Sequence, residues 1–329
     1  MFGKVALEEH VALESTLEDS RQYAPPTHWS ELRSRLLDVH GRRLALMDEH
    51  GIDITVLSLN SPAVQAVPDP GKAVELARSA NNTFAEYVAG NPTRFRSFAA
   101  LPMQDPELAA EELTRAVNDL GFVGALVNGF SERHDGTISY YDTADYDVFW
   151  AQLEHLGVPF YLHPRNPLTR DAAIYQGHEW LLGPAWAFGQ ETAVHALRLM
   201  GSGIFDRFPT ARVILGHLGE GLPYSMWRVD HHNAWIGQKA GYAAERAIGE
   251  YFLQNFYLTT SGNFRTQTLV DAMLEVGADR ILFSTDWPFE NVDHASDWFD
   301  AASISERDRR KIGSDNARAL LRLPAGRAR

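Results

Sequence analysis

The chain has 329 residues, 45% of them hydrophobic, and its 30 Lys and Arg against 43 Asp and Glu leave a net charge of −13. That balance argues against nucleic acid or an anionic membrane surface as a partner, since both attract basic faces. Cysteine is absent, which excludes disulfides, thiolate metal sites and a thiol nucleophile, and with neither a secretory pattern nor an apolar run of membrane-spanning length a soluble cytoplasmic protein is expected.

The first candidate strand is KVALEE (4–9), an apolar run that stops on Glu8-Glu9-His10 where Gly, Asn or Asp would make an ordinary turn. Residues 11–35 form a long excursion containing RQYAPPTHW. RRLALMDEHG (42–51) has apolar residues three and four apart and closes on Gly, as a helix does, before a strand at DITVLSLN (53–60). The same helical spacing in KAVELARSANNTFAEYVAGNP (72–92) precedes a strand at FRSFAALP (95–102). PELAAEELTRAVNDLG (106–121) precedes FVGALVNG (122–129), and VFWAQLEHLG (148–157) precedes VPFYLHP (158–164). A second excursion, 164–190, carries Tyr175, Trp180, Trp186 and Phe188. Strands at ARVILGH (211–217), NFYLTTSG (255–262) and DRILFSTDW (279–287) follow, and the helical ISERDRRKIGSDNARALLRL (304–323) ends the pattern.

Eight short apolar strands alternating with helices predict βαβ units and a parallel sheet buried on both faces. The expectation is one (β/α)8 TIM barrel domain over 1–329, with long loop insertions at its C-terminal face. An open doubly wound sheet is the alternative, but Glu8-Glu9-His10 stands where a Gly-rich phosphate loop would follow the first strand. The two aromatic excursions are expected as lids at the barrel mouth or as subunit contacts.

Such a barrel keeps its site at the C-terminal strand ends. Those ends carry Glu8 and His10, Asn128, His163, His217 and Asp286. Glu8 and His10 are two apart and share one side of an extended strand, with Glu9 on the other. A lone His or Asp there is ordinarily a cap or turn residue. Five ionisable groups from four strands meeting at one mouth point instead to a divalent metal site.

The stretches VALEEH, GFVGALVNGF, VPFYLHPRNP, VILGHLGEGLPY, TTSGNFRTQTL and RILFSTDWPFE resemble the amidohydrolase superfamily. Within it they look like the branch of metal-dependent decarboxylases that includes aminocarboxymuconate-semialdehyde decarboxylase, and the likeness spans nearly the whole chain. It implies that Glu8, His10, His163 and Asp286 hold the metal and that His217 is a catalytic histidine oriented by Glu220. Hydrolases of the superfamily often open with His-x-His where this chain has Glu-x-His. Two-metal members carry a carboxylated lysine where it has Asn128, so one ion is expected, Mn²⁺ or Zn²⁺.

The implied reaction is non-oxidative decarboxylation of an ortho-hydroxybenzoate, in the first place 2,6-dihydroxybenzoate to resorcinol and CO2, by a homo-oligomer, a tetramer on family likeness. Asp286 is the expected general acid, protonating the ring carbon that bears the carboxylate. Asn128 is expected to meet the second ortho hydroxyl, and Tyr23 and Phe289 to sandwich the ring or else to serve core packing. Arg165 and Arg228 are expected as carboxylate partners, Arg228 by reaching a neighbouring subunit's site, or else as surface ion pairs, while adjacent His231 and His232 face different helix sides and are no ligand pair. The rival readings are a decarboxylase of salicylate or 2,3-dihydroxybenzoate, a metal-dependent hydrolase of a lactone or amide, and a non-catalytic metal-binding protein.

Overall fold

The structure, a computed structural model, describes residues 1–236 and 241–325; the one-domain expectation over 1–329 therefore includes two short stretches outside the described residues. Among the described residues eight parallel strands occur in chain order: β1 (Lys4–Val11), β2 (Ile52–Leu59), β3 (Phe95–Ser97), β4 (Ala125–Asn128), β5 (Phe160–His163), β6 (Val213–Leu215), β7 (Phe256–Thr259) and β8 (Ile281–Leu282). The first three form one ladder and the last five another, and a bridge from Ala99 to Ala125 joins β3 to β4. Helices follow the strands and cover the outside of this (β/α)8 barrel.

Alternation along each strand divides the core into two layers. Val5, Leu7, Ile54, Val56, Phe98, Leu126, Tyr161, Ile214 and Leu282 fill the barrel interior. Their neighbours, among them Ala6, Leu57, Val127, Leu162 and Leu215, pack outward against the helices. Strict continuation of that alternation from Val5 and Leu7 would turn Glu9 inward and Glu8 outward. The register against β2 slips between Ala6 and Glu9, a bulge of one residue in β1. A bulge re-aims the side chains beyond it, and here Glu8 and His10 enter the interior while Glu9 leaves it.

The barrel closes between β8 and β1 mainly through side chains, with one backbone bond beyond them. Ser284 Oγ accepts the N–H groups of Leu7 and Glu8. Glu9 accepts from the Thr285 N–H (2.8 Å) and hydroxyl (2.7 Å), and the His10 N–H donates to the Trp287 carbonyl (2.6 Å). For this reason the expected strand over 279–287 enters the ladder only at Ile281–Leu282. Phe283 N–H is diverted to the Ile312 carbonyl, inside a π-helical turn (Lys311–Asp315) that interrupts the expected C-terminal helix. The expected strand over 95–102 is likewise shorter, and a two-stranded hairpin, Ser131–Glu132 with Ile138–Ser139, escaped the sequence reading because each arm is two residues long. Among the described residues no helix is long and apolar enough to cross a membrane.

Candidate metal centre

The strand ends bring five donor groups to the barrel floor. Glu8 Oε1 lies 3.2 Å from His163 Nε2, 3.6 Å from His217 Nε2 and 3.9 Å from His10 Nε2. Asp286 Oδ1 lies 3.5 Å from His10 Nε2, and its Oδ2 3.7 Å from His217 Nε2. Glu8-His10-His163 and Glu8-His217-Asp286 thus form two overlapping triads whose ligand atoms could hold one ion. Atoms bound about 2.0–2.2 Å from a shared ion stand about 3–3.6 Å from one another, and the 3.2–3.9 Å found here is within a few tenths of an ångström of that spacing. Glu8 Oε1 and His10 Nε2 are buried and have no hydrogen-bond partner among the described residues. Buried polar atoms are ordinarily satisfied, so two orphans aimed at one point mark a place built for a cation.

The electrostatics agree. Burial works against the charged form of His10, but Asp286 and Glu8 outweigh it and raise the imidazole to about 9. His217 moves up well beyond its ordinary range for the same reason, with Glu220 and Glu8 overcoming burial. Burial similarly opposes the charge of Glu8, yet His217, His10 and His163 hold its carboxyl well below the usual range. The carboxylates call for positive charge at this floor, and an ion competes with protons to supply it.

His217 sits on an unusual turn. His217, Leu218, Gly219, Glu220 and Gly221 all have positive φ, between 53° and 87°. A left-handed residue other than Gly costs about 1–2 kcal/mol, so three of them in five are held by their surroundings. Leu218 N–H donates to the Thr259 carbonyl (2.7 Å), and His217 N–H to Ser261 Oγ (3.2 Å). The turn folds Glu220 back beneath the ring, with Oε1 2.7 Å from His217 Nδ1. That contact leaves Nε2 directed at Glu8 and Asp286. Asp286 itself, four residues beyond β8, has φ 62°, a strained position of the kind that gathers at functional sites.

Above the floor lies a cavity of about 390 Å³, lined among others by Tyr23, His163, His217, Asp286, Phe188 and Phe289. Both aromatic excursions supply its mouth: Tyr23, His28 and Arg35 come from the first, Pro184 and Phe188 from the second. Tyr23 and Phe289 both line it, but their rings meet edge to face at 82° with centroids 6.3 Å apart. They make one wall, so the expected sandwich with a ring between them is corrected to a single aromatic face.

Three other residues expected at substrate are not among those lining this cavity in the single chain. Asn128 is the register partner of His163 but does not line the cavity; its Nδ2 donates to the Asn60 carbonyl (3.0 Å), and its Oδ1 is buried without a partner among the described residues. Arg165 is buried and spent on Glu132 (2.5 Å) and on the Gln65 and Phe130 carbonyls, with its guanidinium 4.1 Å from the Phe130 ring. Within this chain its guanidinium serves as an internal brace, with its Nε left without a partner among the described residues. Arg228 lies exposed on the helix Leu222–Ile236, outside the cavity lining.

The residues missed from sequence are hydroxyls. Tyr161, Thr259 and Ser261 surround Glu8 Oε2, and Ser58 Oγ lies 3.2 Å from His10 Nδ1. The signal was present: Tyr161 is two residues before His163 and Thr259 two before Ser261, so period-two alternation places each pair on one interior face.

A family model described as Amidohydrolase matches residues 27–323. The chain is 67% identical to a gamma-resorcylate decarboxylase of Polaromonas sp. strain JS666, over 98% of this chain and 99% of that one. It superposes with a TM-score of 0.96, 67% identity and 98% coverage of both chains on a dihydroxybenzoic acid decarboxylase from Polaromonas sp. JS666 with bound manganese and the inhibitor 2-nitroresorcinol. A TM-score of 0.96 with 64% identity relates it to a 2,6-dihydroxybenzoate decarboxylase complexed with 2,6-dihydroxybenzoate, covering 98% of this chain and all of the other (100%).

Proposed function

This chain belongs to the amidohydrolase family, and on that premise we propose that it is a metal-dependent carboxy-lyase converting 2,6-dihydroxybenzoate to resorcinol and CO2. The observation that carries the reading is the chain of neighbours His163 Nε2, Glu8 Oε1, His10 Nε2 and Asp286 Oδ1, each 3.2–3.9 Å from the next, beneath an aromatic wall. Glu8, His10, His163 and Asp286 would hold one divalent ion, Mn²⁺ by the relative's example and Zn²⁺ as the substitute compatible with the same donors. Bound there, the ion supplies positive charge and Lewis acidity toward a carboxylate and its neighbouring ionised hydroxyl.

Loss of CO2 directly from an arene would leave an aryl carbanion. Protonating the ring carbon first avoids this, and Asp286 is the group placed to do it. Asp286 takes the ortho-hydroxyl proton as substrate binds and delivers it to the carboxyl-bearing carbon. The bond to the carboxylate then breaks, its electron pair restores aromaticity, and CO2 leaves with resorcinol as its phenolate, which takes a proton from water. His217, fixed by Glu220, pairs with Asp286 and steadies the proton's position. The aromatic wall excludes water and receives the ring. One barrel domain does this work, and the exposed aromatics of the helix Leu222–Ile236 support a homo-oligomer, a tetramer by family likeness, acting in the cytoplasm.

Incubating Mn²⁺-loaded protein with 2,6-dihydroxybenzoate tests the reading. Resorcinol and CO2 should appear in equal amounts, stop on chelation and resume with Mn²⁺. A preparation that leaves the acid intact but opens a lactone would establish the hydrolase instead.

A further inference from the structure

We propose that Tyr161, Thr259 and Ser261 are positioning residues whose hydroxyls clamp one oxygen of Glu8, so that this carboxylate offers the metal a single oxygen. The proposal rests on the metal-dependent reading above and concerns residues outside the ligand set.

Glu8 is fully buried, and its two oxygens have opposite surroundings. Oε2 accepts hydrogen bonds from the hydroxyls of Tyr161 and Ser261, with Thr259 Oγ1 at 3.4 Å. The three hydroxyls are joined: Thr259 Oγ1 lies 2.8 Å from Tyr161 Oη and 2.8 Å from Ser261 Oγ. Oε1 has no hydrogen bond among the described residues and faces the imidazoles of His163 and His217. Space for the clamp depends on Gly216 at the end of β6. A Cβ there would stand 2.8 Å from Glu8 Oε2, 3.2 Å from Ser261 Oγ and 3.3 Å from Tyr161 Oη. Ser261 also accepts the His217 N–H (3.2 Å), so the clamp and the histidine turn share one anchor.

A carboxylate free to rotate can chelate an ion through both oxygens and close a position that substrate needs. Here rotation would break charge-assisted hydrogen bonds inside a buried site, where no water replaces them. The clamp therefore fixes which oxygen of Glu8 faces the ion and leaves room for a substrate that binds through two oxygens.

The test uses full-length protein with Tyr161→Phe, Ser261→Ala and Gly216→Ala, the last pressing on Oε2 without removing a hydroxyl. Free Mn²⁺ is read by electron paramagnetic resonance during titration of metal-free protein, and thermal melting reports the fold. Each variant should bind Mn²⁺ about tenfold more weakly, and Tyr161→Phe with Ser261→Ala about a hundredfold. At saturating Mn²⁺ the KM for 2,6-dihydroxybenzoate should rise more than kcat falls. A purely structural role lowers the melting temperature and leaves Mn²⁺ affinity alone. Folded variants that all bind Mn²⁺ within about twofold of wild type overturn the clamp; if one fails to fold, the others decide. Wild-type protein that neither binds Mn²⁺ nor decarboxylates this acid overturns the functional reading, and the clamp with it.

Discussion

At the scale of single residues, adjacent carboxylates do different work. Glu8 is aimed at the histidines, whereas Glu9 accepts from Thr285 on the closing seam, with burial raising its carboxyl to about 7 against those bonds and Arg43. Glu8→Gln should lose most bound metal, while Glu9→Gln should keep it and lose stability instead; metal content per chain on the purified proteins decides between them. His195 gives a pH signature of another kind. Its ring is buried against Tyr140 and Tyr141 at centroid distances of 4.8 and 4.9 Å, and burial, aided by Arg198, pushes it down to about 3. The folded protein keeps this ring neutral, while the unfolded chain takes up a proton near its ordinary 6.5. The unfolded state therefore binds more protons between those values, so the His195 contribution to stability is whole above about 6.5 and is lost as pH falls toward 3. At pH 4.5 the loss is about 3 kcal/mol by that linkage. In His195→Gln the decline from pH 7 to pH 4.5, measured by urea unfolding, should be shallower by roughly that amount; parallel declines would show that His195 is not the group responsible.

At the scale of elements, the alternation of strands and helices was legible because buried parallel strands are continuously apolar and their helices are amphipathic. The identity of the strand-end donors was legible too, since the barrel fixes where they meet. Two devices that aim them were not. The bulge in β1 reverses the side on which Glu8 falls, and nothing in KVALEE announces it, because every residue of β1 is buried on whichever face it occupies. The turn at 217–221 reads in sequence as two glycines around a carboxylate, without its handedness. It makes a prediction of its own. Gly219 has φ 87°, and a Cβ there would meet the Leu258 methyls at 3.0 and 3.1 Å and Pro223 Cδ at 3.1 Å. Gly219→Ala should cost about 1–2 kcal/mol in stability. It should also reduce kcat disproportionately, because the displaced turn carries both His217 and Glu220. A variant with the melting temperature lowered but kcat intact would mean that the turn only holds the fold.

At the scale of the whole molecule, one surface remains chemically out of place. Tyr224, Trp227, His231 and Trp235 follow one another at spacings of three and four along the helix Leu222–Ile236, and so lie on one face. Tyr224 is 87% exposed, Trp227 72% and Trp235 81%, while Trp227 stacks on His231 at 4.8 Å. A net charge of −13 discourages indiscriminate association of copies, yet so much exposed aromatic surface favours a specific partner. The patch also adjoins the site. A cavity of about 540 Å³ is lined by Trp186 and Tyr224 together with His217 and Glu220, so a second copy seated on this face would shield the flank of His217 and Glu220. Replacing Tyr224 and Trp227 together by Glu places two like charges where an isologous contact would bring them face to face. Sedimentation velocity should then show a smaller species than wild type. Its metal content should be unchanged, because none of the floor residues is touched. Its kcat should fall, because water reaches His217 and Glu220 from the uncovered side. An unchanged sedimentation coefficient would locate the interface elsewhere; a smaller species with full kcat would make assembly a matter of stability alone, with each barrel complete by itself.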